Sequence, residues 1–181
     1  MTEPTVARNY AEALFAAGER TGDTETFADL IEAVSGAVAA DERIRIVLES
    51  PRVRKSRKES LLRQALAGRA PEIFVRFLAA VVRRGRQGQL PGIAREYLGL
   101  VDIKFNRVHA GVTLAREPDA ALQADIRDRL SRVLGGREVI PHFRTAPEIL
   151  GGVIVRVGDR VMDGSLRRRM LLLRRQMLGT A

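Results

Sequence analysis

A chain of 181 residues with 45% hydrophobic and 29% charged side chains has room for one ordinary domain or two small ones. Its composition is globular rather than disordered or membrane-embedded. The absence of cysteine excludes disulfides, thiolate nucleophiles and the common structural zinc sites. A net charge of +9, from 31 basic and 22 acidic residues, draws such a chain to nucleic acid, anionic lipid or an acidic protein surface.

The first hundred residues carry helical periodicity. Val6, Tyr10, Ala13, Leu14 and Ala17 predict a helix over Thr5–Gly18, and Phe27, Leu30, Ile31, Val34 and Val38 predict a second over Thr24–Ala40. A short helix over Glu42–Glu49 should end at Ser50-Pro51, because the residue before proline avoids the α region. Ser56 with Glu59 reads as a capping box, opening a helix that buries Leu62, Ala65 and Leu66. Pro71 suits a helix start before Ile73–Arg84, and after Gly85 and Gly88 a sixth helix covers Leu90–Lys104 through Ile93, Tyr97, Leu98 and Val101. The first of these helices, and above all Ile73–Val82, are apolar over more of their circumference than a simple stripe. Either they lie at the centre of the bundle or part of that surface is a groove for a partner helix.

The period changes from 3.6 to 2 at Val108. Val108, Ala110, Val112 and Leu114 alternate with His109, Gly111 and Thr113 as in a half-buried strand. Pro118-Asp119 opens a helix with Leu122, Ile126, Leu130, Val133 and Leu134 on one face, stopped by Gly135-Gly136. Residues 138–144 look extended, with Pro141 restricting them to a sheet edge or an irregular segment.

The stretch GGVIVRVGDRVMDGS, residues 151–165, has enough glycine to raise a phosphate site. It lacks the lysine and spacing of a P-loop and the glycine triplet of a dinucleotide fingerprint. It reads instead as a β-hairpin turning at Gly158-Asp159, with Ser165 capping a helix that runs to about Leu178. On that helix Leu166, Met170, Leu173 and Met177 form a narrow stripe expected to pack on the sheet. Leu171 and Leu178 lie off it among Arg167, Arg168, Arg174 and Arg175, as either a solvated basic face or a mixed contact surface.

The expected architecture is therefore α+β: an N-terminal six-helix bundle, residues 1–106, then a small α+β domain, residues 107–181, with a β-hairpin and C-terminal helix. The longest apolar run, FLAAVV at 77–82, is too short to cross a bilayer, and MTEPTVARNY lacks the features of a signal peptide, so a soluble, unprocessed protein is expected. His109 and His142 are the two histidines, and neither has ligand company at metal spacing, so each reads as structural. No nucleophile motif appears, and no catalytic residue, metal or cofactor is expected. The basic run Arg52–Lys58 lacks interleaved aromatics, which leaves a nucleic-acid-binding module as the weaker alternative.

Three segments carry a family resemblance. ARNYAEALF (7–15), RRGRQGQLPGIAREY (83–97) and GGVIVRVGDRVMDGSLRRRM (151–170) together resemble the delta subunit of bacterial F-type ATP synthases, the relative of the mitochondrial oligomycin-sensitivity-conferring protein. Asn9 stands where a basic residue is common and Met170 where leucine is usual. The resemblance implies a non-catalytic stator subunit, monomeric and in one copy per complex, on the cytoplasmic face of the bacterial inner membrane and associated with it only through the complex. It also implies that the helical domain binds the N-terminal segment of an alpha subunit through the first and fifth helices, which points to Tyr10, Leu14, Phe74 and Leu78. The small domain would hold the b subunits of the peripheral stalk, through Arg167, Leu171, Arg174 and Leu178 of the last helix.

Overall fold

The computed structural model describes residues 3–178, with side chains from residue 5 onward. The chain is α+β and divides into two compact units, Met1–Ile103 and Lys104–Ala181.

The first unit is helical: α1 (Glu3–Thr21), α2 (Thr24–Ala40), α3 (Glu42–Glu49), α4 (Lys55–Leu66), α5 (Glu72–Arg83), a single 3-10 turn at Gln87–Gln89, and α6 (Leu90–Lys104). α1 runs one turn past the expected Gly18. Gly18 lies inside the helix, and its lack of a side chain is used there: a Cβ would stand 3.1 Å from both a Phe27 ring carbon and the Tyr97 hydroxyl, so α1, α2 and α6 converge on it. Tyr97 is fully buried and donates its hydroxyl to the Thr24 carbonyl at 3.0 Å, while its ring meets Phe15 edge-on. Burial, and then the charge of Glu19, push its ionisation well above the ordinary tyrosine value. Phe27 and Phe74 pack with ring centroids 5.6 Å apart, joining α2 to α5.

α4 departs from expectation. It begins at Lys55, and the Arg54 carbonyl already accepts from the amides of Arg57 and Lys58, so Ser56 lies inside the helix and makes no capping box. Glu59 faces Arg83 of α5 instead, at 3.5 Å. Leu62 and Leu66 are only half-buried and Ala65 is exposed; the one buried side chain of α4 is Lys58. Its ammonium donates to the Leu48 carbonyl at the end of α3, while Lys55 donates to the Arg83 carbonyl at the end of α5. Two of the chain's three lysines thus tie off the negative ends of two helices.

The second unit is built on a four-stranded sheet in the order β2-β1-β3-β4, from β1 (Arg107–Leu114), β2 (Glu138–Thr145), β3 (Val153–Val157) and β4 (Arg160–Asp163). Asn106 enters β1 with φ 51°, a left-handed conformation that asparagine tolerates. β1 and β2 are parallel, joined through α7 (Ala120–Val133), and the other pairings are antiparallel. Pro141 sits on β2, an edge strand, as its missing donor requires. The core joins Ala110, Val112 and Leu114 of β1 to Ile126 and Leu130 of α7 and to Val139 and Val155. Leu122 and Val133 are exposed, so the apolar face of α7 is shorter than its sequence implies: only its middle turns bury side chains.

The glycines of 151–165 serve a backbone crossing. Gly152 has φ 80°, and a Cβ there would lie 2.4 Å from the Gly164 carbonyl oxygen; at Gly151 it would meet Leu166 at 2.9 Å. The strand start and the helix entry are laced by Gly164 donating to the Val153 carbonyl and Leu166 to the Gly151 carbonyl. Ser165 then caps α8 (Leu166–Met177) by accepting from the Arg168 amide, and Asp163 accepts from the Ser165 amide at 2.9 Å. The backbone bond from Ser165, helped by the Ser165 side chain, holds the Asp163 carboxyl below the usual carboxylate range.

Two outcomes follow from this crossing. Gly152→Ala should destabilise the second unit by about 3 kcal/mol, since it adds both a positive-φ penalty and a backbone clash. Gly36→Ala, on an open helix face of the first unit, should be neutral or stabilising by up to about 1 kcal/mol; urea unfolding followed by amide signals in β1 and β3 for the first variant and in α2 and α5 for the second reads each effect in its own unit. Because the folded Asp163 titrates low, its contribution is complete above the ordinary carboxylate value of about 3.9 and fades as pH falls through the folded value below it. The Ser165 amide shift should therefore move only under acid, and Asp163→Asn should abolish that movement.

Candidate docking surfaces

Of the four side chains placed on α1 and α5 by the sequence, Leu14, Phe74 and Leu78 are fully buried and Tyr10 is half-buried. The broad apolar arcs are explained mainly by burial, because α1, α2 and α4 pack around α5 and leave Glu72, Ile73 and Arg76 outward. Tyr10 remains reachable. Its ring meets the half-buried Phe77 edge-on at 6.2 Å, with Leu14, Phe74 and Leu78 inside the unit. Beside it lies a cleft of about 450 Å³ lined by Val6, Asn9, Tyr10, Ala13, Arg84 and Arg86. One wall is the mainly apolar face of α1 with Asn9 on it, and the other carries two guanidiniums from the turn after α5, an arrangement suited to an amphipathic segment with an acidic residue at one edge.

α8 is different in kind: none of its residues is buried. The expected stripe of Leu166, Met170, Leu173 and Met177 does not pack on the sheet, and Met177 is 86% exposed. The sheet face that would receive it is already covered by α7 through Ile126 and Leu130. Arg167 and Leu171 come together over a groove with Ile149 and Ile154, whereas Arg174 and Leu178 share a second hollow with Met170, Leu173 and Met177. The four residues singled out on this helix therefore fall into two patches along it, each pairing arginine with leucine. Met170, Leu173 and Met177 belong to the same exposed surface, which the sequence pattern had assigned to the core.

A third grouping escaped the sequence reading. His109 on β1 and His142 on β2 are brought together, with Nδ1 of the first 2.9 Å from Nε2 of the second. Alternation placed His109 on an outward strand face, but the parallel register that pairs it with a strand beyond an intervening helix has no local signal. Among the described residues no group of three or more His, Cys, Asp or Glu side chains could hold a metal ion, and no helix is long and apolar enough to cross a membrane. The glycine stretch offers no phosphate cradle, since the space above Gly152 is filled by the Gly164 carbonyl.

Comparison with known proteins agrees across the whole chain. The family model for the ATP synthase delta (OSCP) subunit matches residues 6–177. ATP synthase subunit delta of Gemmatimonas aurantiaca is 46% identical over 176 residues, covering 97% of this chain and 95% of that one. The subunit of the same name from Chlorobium luteolum is 33% identical, covering 97% and 96%. Among solved structures, a chain of the Toxoplasma gondii mitochondrial ATP synthase hexamer shares the fold with a TM-score of 0.68 over 98% of each chain, at 22% identity. With its helical unit, its glycine crossing and a family match that runs from α1 to the end of α8, the chain belongs to the ATP synthase delta (OSCP) subunit family.

Proposed function

We propose that this chain is the joint between the catalytic head and the peripheral stalk of a bacterial F-type ATP synthase, at the cytoplasmic face of the membrane. The family is a structural, non-catalytic subunit of ATP synthase, and membership displaces the nucleic-acid-binding alternative. Residues 1–106, with their six helices acting as one bundle, would take the N-terminal segment of an alpha subunit. Residues 107–181 would take the b subunits. A stator joint must hold under sustained torque, which favours slow dissociation from buried apolar anchors over exposed ion pairs.

The observation that carries the reading is α8, a helix with leucine, methionine and arginine at its surface and nothing buried. Such a surface is costly to leave in water and has the composition of interface hot spots flanked by cations. On the first unit, Tyr10 is the direct anchor for an alpha-subunit segment in the Val6–Arg86 cleft. Leu14, Phe74 and Leu78 set the shape of that face from the core.

Calorimetry of the full chain with a peptide of the alpha-subunit N-terminus should give measurable heat. Tyr10→Ala should weaken binding by about 2 kcal/mol, roughly thirtyfold. An undetectable interaction with folded protein ends this assignment. Reversing Arg167 and Arg174 together to glutamate should release b-subunit fragments in a pull-down while leaving the alpha peptide bound. Loss of both partners, or of neither, counts against the division of labour.

A further inference from the structure

β1 and β2 run parallel, with His109 in register with Ile140 and Gly111 with His142, so the two histidines are diagonal neighbours on one face of the sheet. That face is opposite the core: Ala110 and Val112, which flank Gly111, point into the side covered by α7. Both imidazoles are exposed, and Gly111 contributes no side chain beside them. The rings are nearly parallel, at 18°, and their facing nitrogens lie 2.9 Å apart.

Two hydrogen-bonded strands thus hold two imidazole nitrogens at a short separation. Ligands each about 2.0 Å from one ion and at right angles to each other are about 2.8 Å apart, whereas a tetrahedral pair needs about 3.3 Å. The spacing here therefore suits adjacent positions of a tetragonal ion. In the metal-free pair one ring donates an N–H to the other. For both facing nitrogens to ligate, the shared proton leaves the space between them and each ring turns by roughly 45°, so that the two lone pairs converge on the ion instead of lying along the line between the nitrogens. Of the arginines on this face, Arg107 is held by Glu138 at 2.8 Å and Arg156 donates to the Gly158 carbonyl, while Arg144, two residues beyond His142, is exposed and can swing into solvent. Glu138, engaged in that way, is not counted as a ligand. Imidazole alone selects borderline ions, and hard Mg²⁺ or Ca²⁺ should not bind.

We propose that His109 and His142 form an open, two-imidazole site for a divalent transition-metal ion, Cu²⁺ in preference to Ni²⁺ or Zn²⁺, with water or a small chelator in the remaining positions. The histidines share the non-core face of the sheet with Ile154, which borders the α8 groove, but the site uses no residue of α8 and does not depend on the stator reading.

The probe is Cu²⁺ nitrilotriacetate, whose chelator leaves adjacent positions for imidazole, titrated into the full chain by equilibrium dialysis with paramagnetic resonance as readout. One complex per chain is expected, with nitrogen couplings from two rings and no displacement by excess Mg²⁺. His109→Asn and His142→Asn, both at exposed positions, should each weaken binding about tenfold or more, with circular dichroism confirming the fold. Should either variant unfold, the corresponding glutamine substitution replaces it. Absence of binding, coupling from a single ring, or undiminished binding by the double variant would overturn the site.

Discussion

The passage of Gly152 beneath the Gly164 carbonyl governs where the C-terminal helix goes. No side chain fits between the start of β3 and the entry to α8, and only glycine accepts the φ that Gly152 adopts. The crossing lets Gly164, Ser165 and Leu166 bond back to the strand and its turn, which gives α8 a fixed origin and heading. Were that contact loosened, Arg167 and Leu171 would lose their alignment over Ile149 and Ile154, although neither touches the glycines. A motif that superficially suggests phosphate binding is thus a device for setting the direction of a helix.

The two units solve opposite problems. In the first, apolar side chains that could have been spent on a partner are folded inward around Phe74, Leu78 and Tyr97, leaving a modest cleft whose reachable apolar ring is Tyr10. In the second, α7 alone covers the sheet core, and α8 keeps its apolar residues outside. Charge follows the same division. Lys55 and Lys58 close helix ends within the first unit, whereas the arginines of α8 face outward beside leucine and methionine. Arginine suits that setting because its planar, weakly hydrated group tolerates apolar company better than an ammonium.

Sequence signals were legible wherever the determining contact is local. Asp119 and Ser165 cap the helices they precede, Gly135-Gly136 takes the left-handed turn that ends α7, Gly158 begins the hairpin turn, and Pro141 lies at an edge. What required the fold was the identity of each neighbour. Ser56 looks like a cap until the helix is seen to begin before it, and Leu173 looks like core until α7 is seen to occupy the face it would need. Leu14, Phe74 and Leu78 share one helical pattern with Tyr10, and only packing separates the buried three from the reachable one. The histidine pair is the extreme case, since two side chains in hydrogen-bond contact stand 33 positions apart in the sequence with a helix between them.

One property of α8 bears on how such a joint gains stiffness. A segment of 12 residues that buries nothing is held by its serine cap, its hydrogen bonds and the favourable placement of Arg174 and Arg175 near its carbonyl end. That is marginal for so short a helix in water. Under the proposed stalk contact, its ordering and its capture by a partner would be one linked equilibrium, in which part of the gross attraction is consumed in winding the segment. Rigidity at this end of the subunit would then be a property of the assembled machine, acquired on docking rather than carried into it.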